Sequence, residues 1–251
     1  MTPHADDHIV KSYDEELKHL ENLIAEMGGL AEVQLAEAID ALVKRDSEKA
    51  ERVIAADQRI DDLEIEIENF AVHMVARRQP MARDLRTIIA ALKTATVIER
   101  VGDYAKNIAK RAVALAQAPA MQPTGTVARM GRLAQGMVKR ALDAYIARDA
   151  AMADDVRASD LEIDAIHTSL FRELLTYMME DPRNITPCTH LLFVAKNIER
   201  VGDYATTIAE SVIFLVRGKI PSDKRPKGDE SSFTVVEPGR PKAGGGDERR
   251  P

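Results

Sequence analysis

Apolar residues recur along this chain every three to four positions, over stretches far longer than a strand. Between 12 and 45 they fall at Leu17, Leu20, Ile24, Met27, Ala31, Leu35, Ala38 and Leu42, the spacing of one buried helical face. A second helix over 47–78 carries Val53, Ile60, Leu63, Ile67, Phe70 and Met74, and Arg45-Asp46-Ser47 supplies the turn and N-cap before it. Pro80 ends it, since proline lacks an amide hydrogen and clashes with the preceding turn. A third helix over about 83–116 places Ile88, Ala91, Ala95, Ile98, Gly102 and Ala105 on one stripe. Pro119, Pro123 and Gly125 mark 117–125 as a linker.

The pattern then starts again. Met27-Gly28-x-Leu30-Ala31 returns as Met130-Gly131-x-Leu133-Ala134, and Asp40-Ala41 with Arg45-Asp46 as Asp143-Ala144 with Arg148-Asp149. Asp57-x-x-Ile60-Asp61 returns as Asp160-x-x-Ile163-Asp164, all at an offset of 103. Asp181-Pro182 stands for the break at Pro80, after which the offset is 100. Glu99–Tyr104 and Glu199–Tyr204 are identical, Glu-Arg-Val-Gly-Asp-Tyr. The expected fold is all-α: two tandem, pseudo-symmetric three-helix bundles of six long antiparallel helices, each roughly 40–50 Å long. The expected boundaries are 1–118 for the first bundle, 119–219 for the second and 220–251 for a disordered tail rich in Pro, Gly and charge.

Composition narrows the function classes. The 251 residues carry a net charge of −6, and because residues 218–251 carry +2, the body carries −8. An acidic body argues against nonspecific nucleic-acid binding, which requires cations facing phosphates. Cys188 is the single cysteine, which excludes an intrachain disulfide and a thiolate metal site. No run approaches ~18 apolar residues and the start lacks a secretory pattern, so a cytoplasmic protein is expected.

The repeat also carries carboxylates at helical spacing. Glu99 and Asp103 flank the core stripe of the third helix, and Asp57, Asp61, Glu64 and Glu68 flank that of the second. Folding a hairpin about Pro80 puts Asp61 level with Glu99 and Asp57 level with Asp103. The second half repeats this, with Asp164 beside Glu199 and Asp160 beside Asp203. Four carboxylates at one level repel unless arginines such as Arg59, Arg100 and Arg200, or a cation, neutralise them. All-oxygen donors suit hard cations such as magnesium, calcium, manganese or ferric iron, with zinc also compatible. His167, three residues after Asp164, and Glu64 at the equivalent place are additional candidate ligands.

Other features read as structural. Glu16-x-x-His19 is half of a di-iron motif whose partner motif is missing, so an exposed helix edge is expected there. His73 and His190 are expected to be packing residues, and Tyr104 and Tyr204 rim packing. Gly102 and Gly202, costly in a helix, serve either close packing or room beside the carboxylates. No P-loop, nucleophile elbow or Cys–His pair occurs.

At the doubled Glu-Arg-x-Gly-Asp, the Asp-x-x-Ile-Asp before each copy, and Pro80-x-x-x-Asp84-Leu85-Arg86, the chain resembles the PhoU family over about residues 10–217. The second half departs from the last motif with Asn184-Ile185-Thr186. The resemblance implies two symmetric three-helix bundles, paired as homodimers, and multinuclear iron or zinc clusters, with magnesium or manganese as alternatives. It implies metal ligands at Glu99, Asp103, Asp57, Asp61, Glu199, Asp203, Asp160 and Asp164. It further implies a non-enzymatic negative regulator of the phosphate-starvation response. Such a regulator links the ATPase subunit of the phosphate ABC transporter to a sensor histidine kinase, and so meets the membrane only through partners. Three readings are open from the residues themselves: a regulatory adaptor, a carboxylate-bridged metalloenzyme (a metal-assisted hydrolase), and a metal-free helical scaffold.

Overall fold

A computed structural model describes residues 5–221 and residue 228, with side chains described from residue 12. The expected tail of 220–251 lies outside the described residues except at 220, 221 and 228. The first half comprises α1 (Ala5–Lys44), α2 (Ser47–Ala56), α3 (Gln58–Arg78) and α4 (Ala82–Ala116). The second comprises α5 (Thr124–Ala147), α6 (Ala150–Glu180), a 3-10 turn (Pro182–Asn184) and α7 (Ile185–Arg217). The fold is all-α.

The duplicated Arg-Asp pairs build the same turn twice. Arg45 and Arg148 adopt left-handed backbone, φ 58° and 52°, ending α1 and α5. The following aspartates are N-caps: Asp46 accepts from the amide of Lys49 at 2.9 Å, and Asp149 from those of Ala151 and Met152 at 2.9 and 3.0 Å. Each carboxylate thus satisfies amides that the first helical turn leaves without partners. The helix expected over 47–78 is divided at Asp57, whose φ of −58° and ψ of −36° remain helical. The rod therefore runs on through α2 and α3 with Asp57 as its joint.

The periodic residues form the interior. Leu20, Ile24, Met27, Leu35, Ile60, Leu63, Ile67, Ile88 and Ile98 are buried in one continuous cluster with Met130, Ile163, Leu191, Ile198 and Ile208 of the second half. The halves therefore share a core rather than merely abutting. Their seam is a local two-fold. Tyr104 of α4 stacks on its counterpart Tyr204 of α7, ring centroids 5.8 Å apart and 25° between planes.

The doubled Met-Gly explains itself at the same seam. A Cβ on Gly28 would stand 2.8 Å from Cδ1 of Leu142, and one on Gly131 only 2.4 Å from Cδ1 of Ile39. Leu142 is the counterpart of Ile39, so α1 and α5 exchange the same knob and notch. Gly131→Ala is expected to destabilise the protein by about 1–3 kcal/mol, because Cγ1 of the β-branched Ile39 also lies 2.9 Å from the new atom and cannot swing clear. Urea unfolding checks this against Gly29→Ala, where nothing lies within 4 Å and a neutral or slightly stabilising change is expected.

Candidate functional site

The first acidic cluster lies where α2, α3 and α4 meet. Asp57, at the joint, is 2% exposed. Its Oδ1 accepts from Gln34 Nε2 of α1 at 2.9 Å, and its Oδ2 pairs with Lys106 Nζ of α4 at 2.5 Å. A Cβ on Gly102 would stand 3.1 Å from Ile60 Cδ1, 3.2 Å from Gln34 Oε1 and 3.4 Å from Asp57 Oδ1. The glycine thus serves close packing and room for the carboxylate together. This abutment puts Asp57 level with the Gly102-Asp103 step, as the hairpin reading expects.

The other carboxylates sit toward the rim. Burial, and then the charge of Asp103, push Glu99 up to about 7; Arg100 opposes this and Glu64 adds to it. Burial likewise raises Asp61, with Asp57 and Asp103 adding to the rise and Lys106 opposing it. Glu99 therefore feels Glu64 from α3, while Asp61 feels Asp103. Arg100 is only loosely engaged, 3.5 Å from Glu99 and 3.8 Å from Asp103, and Lys106 is 3.9 Å from Asp103. These carboxyl groups are raised by burial first and by neighbouring negative charge second.

The second cluster is more deeply enclosed. Asp160, Asp164, His167 and Glu199 are all buried. A Cβ on Gly202 would stand 3.0 Å from Asp160 Oδ1 and 3.1 Å from Ile163 Cδ1, reproducing the Gly102 arrangement. Its neutralisation differs, because Lys106 is replaced by Thr206, whose hydroxyl donates to the carbonyl of Asp203 at 2.7 Å. Here Lys196 Nζ pairs with Glu199 Oε2 at 2.8 Å, and the backbone amide of Gly228 donates to Asp164 Oδ2 at 2.7 Å.

The family model described as PhoU domain matches this chain twice, at residues 24–112 and 127–212. The chain belongs to the PhoU family. A "Phosphate-specific transport system accessory protein PhoU homolog" of Rhizobium meliloti is 51% identical over 227 residues, covering 90% of this chain and 95% of that protein. A Caulobacter vibrioides protein of the same description is 51% identical over 224 residues, covering 89% and 97%. Among solved structures, PhoU from Pseudomonas aeruginosa superposes with a TM-score of 0.81 at 39% identity, covering 82% of this chain and all of that one. The phosphate transport system regulatory protein PhoU from Streptococcus pneumoniae superposes at 0.78 with 28% identity, covering 84% and 99%.

Within this PhoU fold Asp57 and Asp103 stand near enough to Asp61, and Asp103 and Glu64 near enough to Glu99, to raise those two carboxyls, while in the second half Asp160 abuts Gly202. The donor chemistry of the eight expected ligands, carboxylates throughout, with His167 as an additional imidazole candidate in the second half, fits a hard or borderline cation. Among the described residues, however, no three His, Cys, Asp or Glu side chains converge closely enough to hold an ion as they stand. Asp57 in particular already has both oxygens engaged. Sequence reasoning missed the neutralising groups. Arg59 pairs with Glu26 at 2.7 Å, and Arg200 donates to Tyr104 Oη at 3.0 Å. The ammonium groups of Lys106 and Lys196 make the short pairs instead, and their positions three residues from Asp103 and Glu199 were the available signal.

Two smaller expectations resolve differently. Of the expected exposed edge at Glu16-x-x-His19, His19 is exposed, but Glu16 is half-buried and paired with Arg78 at 2.8 Å, because the guanidinium of α3 closes over it. His73 is exposed rather than packed, its Nδ1 2.7 Å from the carbonyl of Asn69, because its position falls outside the apolar stripe. Among the described residues no helix is long and apolar enough to cross a membrane.

Proposed function

We propose that this chain is an accessory regulator of phosphate-specific transport that acts by binding rather than by catalysis. The observation that carries the reading is its two PhoU domains, with near-full-length similarity to proteins described as phosphate-specific transport accessory proteins. In this reading the protein works in the cytoplasm as a homodimer. It joins the ATPase subunit of the phosphate transporter to a sensor histidine kinase, and holds the starvation response down when phosphate is plentiful.

The clusters give that role a charge-responsive surface. Asp61, Glu64, Glu99 and Asp103, with Asp57 behind them, would hold cations in the first half; Asp160, Asp164, Glu199, Asp203 and His167 would do so in the second. Bound iron or zinc, or magnesium or manganese, would supply positive charge against the burial and the mutual repulsion that raise Glu99. The chain's own part is to cluster the acids on rigid rods, with Arg100 only loosely engaged.

In a strain lacking this protein, a phosphate-starvation reporter is expected to rise at least tenfold in phosphate-rich medium, and the wild-type chain to restore repression. Elemental analysis of purified protein is expected to find metal that Glu99→Gln/Asp103→Asn loses from the first cluster. A reporter and phosphate uptake both indifferent to the deletion would remove the regulatory reading. Metal-free wild type purified without chelators would remove the cation reading alone.

A further inference from the structure

A cleft of about 430 Å³ opens between α3, α4 and α7, lined on its polar side by Glu64, Glu68, Lys93, Thr96, Thr207 and Ser211. Its volume falls within the ~300–1,000 Å³ typical of ligand sites. A smaller cavity of about 120 Å³ adjoins it through Lys93, Thr207 and Ser211 and reaches Glu210 and Phe214. The hydroxyls are already satisfied within α7, Thr207 donating to the carbonyl of Asp203 at 3.0 Å and Ser211 to that of Thr207 at 3.1 Å. Lys93 lies toward one wall, its Nζ 5.6 Å from the ring centroid of Phe214. Among the described residues, Glu64 and Glu68 make no hydrogen bond or ion pair. The acids are therefore the free acceptors of this cleft.

The internal repeat shows what occupies the matching place in the other half. At the offset of 100, Ser211 corresponds to Arg111 and Lys93 to Phe193. There the Arg111 guanidinium lies over the Phe193 ring, 4.1 Å from Cζ to centroid, with Nη1 3.4 Å from His190 Nδ1. The chain itself puts a flat cation into one of the two equivalent positions. In the other it places small hydroxyl side chains, leaves a cleft, and replaces His167 and Phe171 with Glu64 and Glu68.

We propose that this cleft docks an arginine-bearing segment of a partner protein, its guanidinium set between Glu64 and Glu68 and its stem on the apolar floor. A guanidinium presents a planar fork of donors that suits paired carboxylates, which a lysine ammonium does not. The biological partner rests on the regulatory reading above, but the measurement below reads the cleft alone and stands even if that regulation fails.

The test titrates the blocked tripeptide acetyl-Leu-Arg-Leu-amide into the full chain by calorimetry or NMR, beside a copy carrying citrulline, which keeps the shape and loses the charge. Binding of the arginine peptide at least tenfold tighter than the citrulline peptide is expected. Glu64→Gln/Glu68→Gln is expected to weaken it at least tenfold, on side chains that make no hydrogen bond or ion pair among the described residues. Lys93→Phe/Ser211→Arg, which copies the other half's plug into the cleft, is expected to abolish it, with the thermal midpoint recorded to confirm folding. The titrations are run in chelator, because Glu64 also borders the proposed cation cluster, and under that condition Glu99→Gln/Asp103→Asn is expected to change affinity less than threefold. Equal binding of citrulline, or binding lost only in the Glu99/Asp103 variant, overturns the proposal. So does an affinity that falls as the protein is concentrated, because a second copy of the chain would then be the occupant.

Discussion

Lys106→Met is expected to lower the free energy of unfolding by about 3–5 kcal/mol, the cost of removing one partner from a buried ion pair. The carboxylate it abandons, Asp57, is 2% exposed and keeps only the amide of Gln34. The lysine side chain is itself 27% exposed, so the loss comes from the stranded anion rather than from missing packing. Asp57→Asn in the same chain is expected to restore most of the stability, since an asparagine oxygen can still accept from Gln34 and carries no charge to strand. Urea unfolding at pH 7 in chelator measures both variants. A loss below about 1 kcal/mol for Lys106→Met, or no rescue by the second change, would show that the pair does not hold the joint between α2 and α3.

Stability of the chelator-treated protein is expected to fall as pH rises through the range where Glu99 ionises. Its carboxyl titrates at about 7 in the folded chain against an ordinary 4.5. Between those values the folded state binds more protons than the unfolded one, so each step up in pH favours unfolding. The full penalty is present above about pH 7 and absent below about pH 4.5. Its size is of order 1–3 kcal/mol after solvent screening, shared between Glu99 and the neighbouring Asp103. Glu99→Gln is expected to recover about 1–3 kcal/mol at pH 8 and to flatten the decline, because a neutral amide neither repels Asp103 nor resists burial. An added divalent cation is expected to flatten the same decline in the wild type while leaving Glu99→Gln less affected. An unchanged slope in Glu99→Gln would place the penalty on another group.

The two clusters also show how duplicated segments diverge in charge balance. Position 106 is lysine in one half and threonine at 206 in the other; position 96 is threonine and 196 lysine. Each half keeps one ammonium beside its acids but delivers it from a different helical level, to Asp57 in the first and to Glu199 in the second. Repeat alignment already sets Glu64 opposite His167 and Lys106 opposite Thr206, but not which acid each ammonium reaches. The side chains that surround the identical Glu-Arg-Val-Gly-Asp-Tyr segments make them unequal.

Much of the site was legible because it lies on long helices, where spacing fixes the facing direction. Glu99 and Asp103 share a flank by arithmetic, and Gly102 and Gly202 announced a close approach before any partner was known. The neutralising lysines were not legible, because a flexible side chain of four methylenes chooses its partner from every acid within reach. Arg59 shows the same thing: it stands beside the acidic flank in sequence and reaches Glu26 of α1 instead.

The sequence by itself determined six helical rods, their breaks at Arg45-Asp46, Pro80, Arg148-Asp149 and Asp181-Pro182, and the membership of each carboxylate in one of two repeats. Those are local properties, set by periodicity, caps and proline. Only the tertiary structure decided that the halves share one core through Tyr104 on Tyr204 and the reciprocal glycine notches, that Asp57 faces inward to Lys106, and that a cleft opens in one half where Arg111 and Phe193 meet in the other. Each of these depends on which side chains from distant segments compete for the same space and charge, and spacing along a single chain carries no record of that competition.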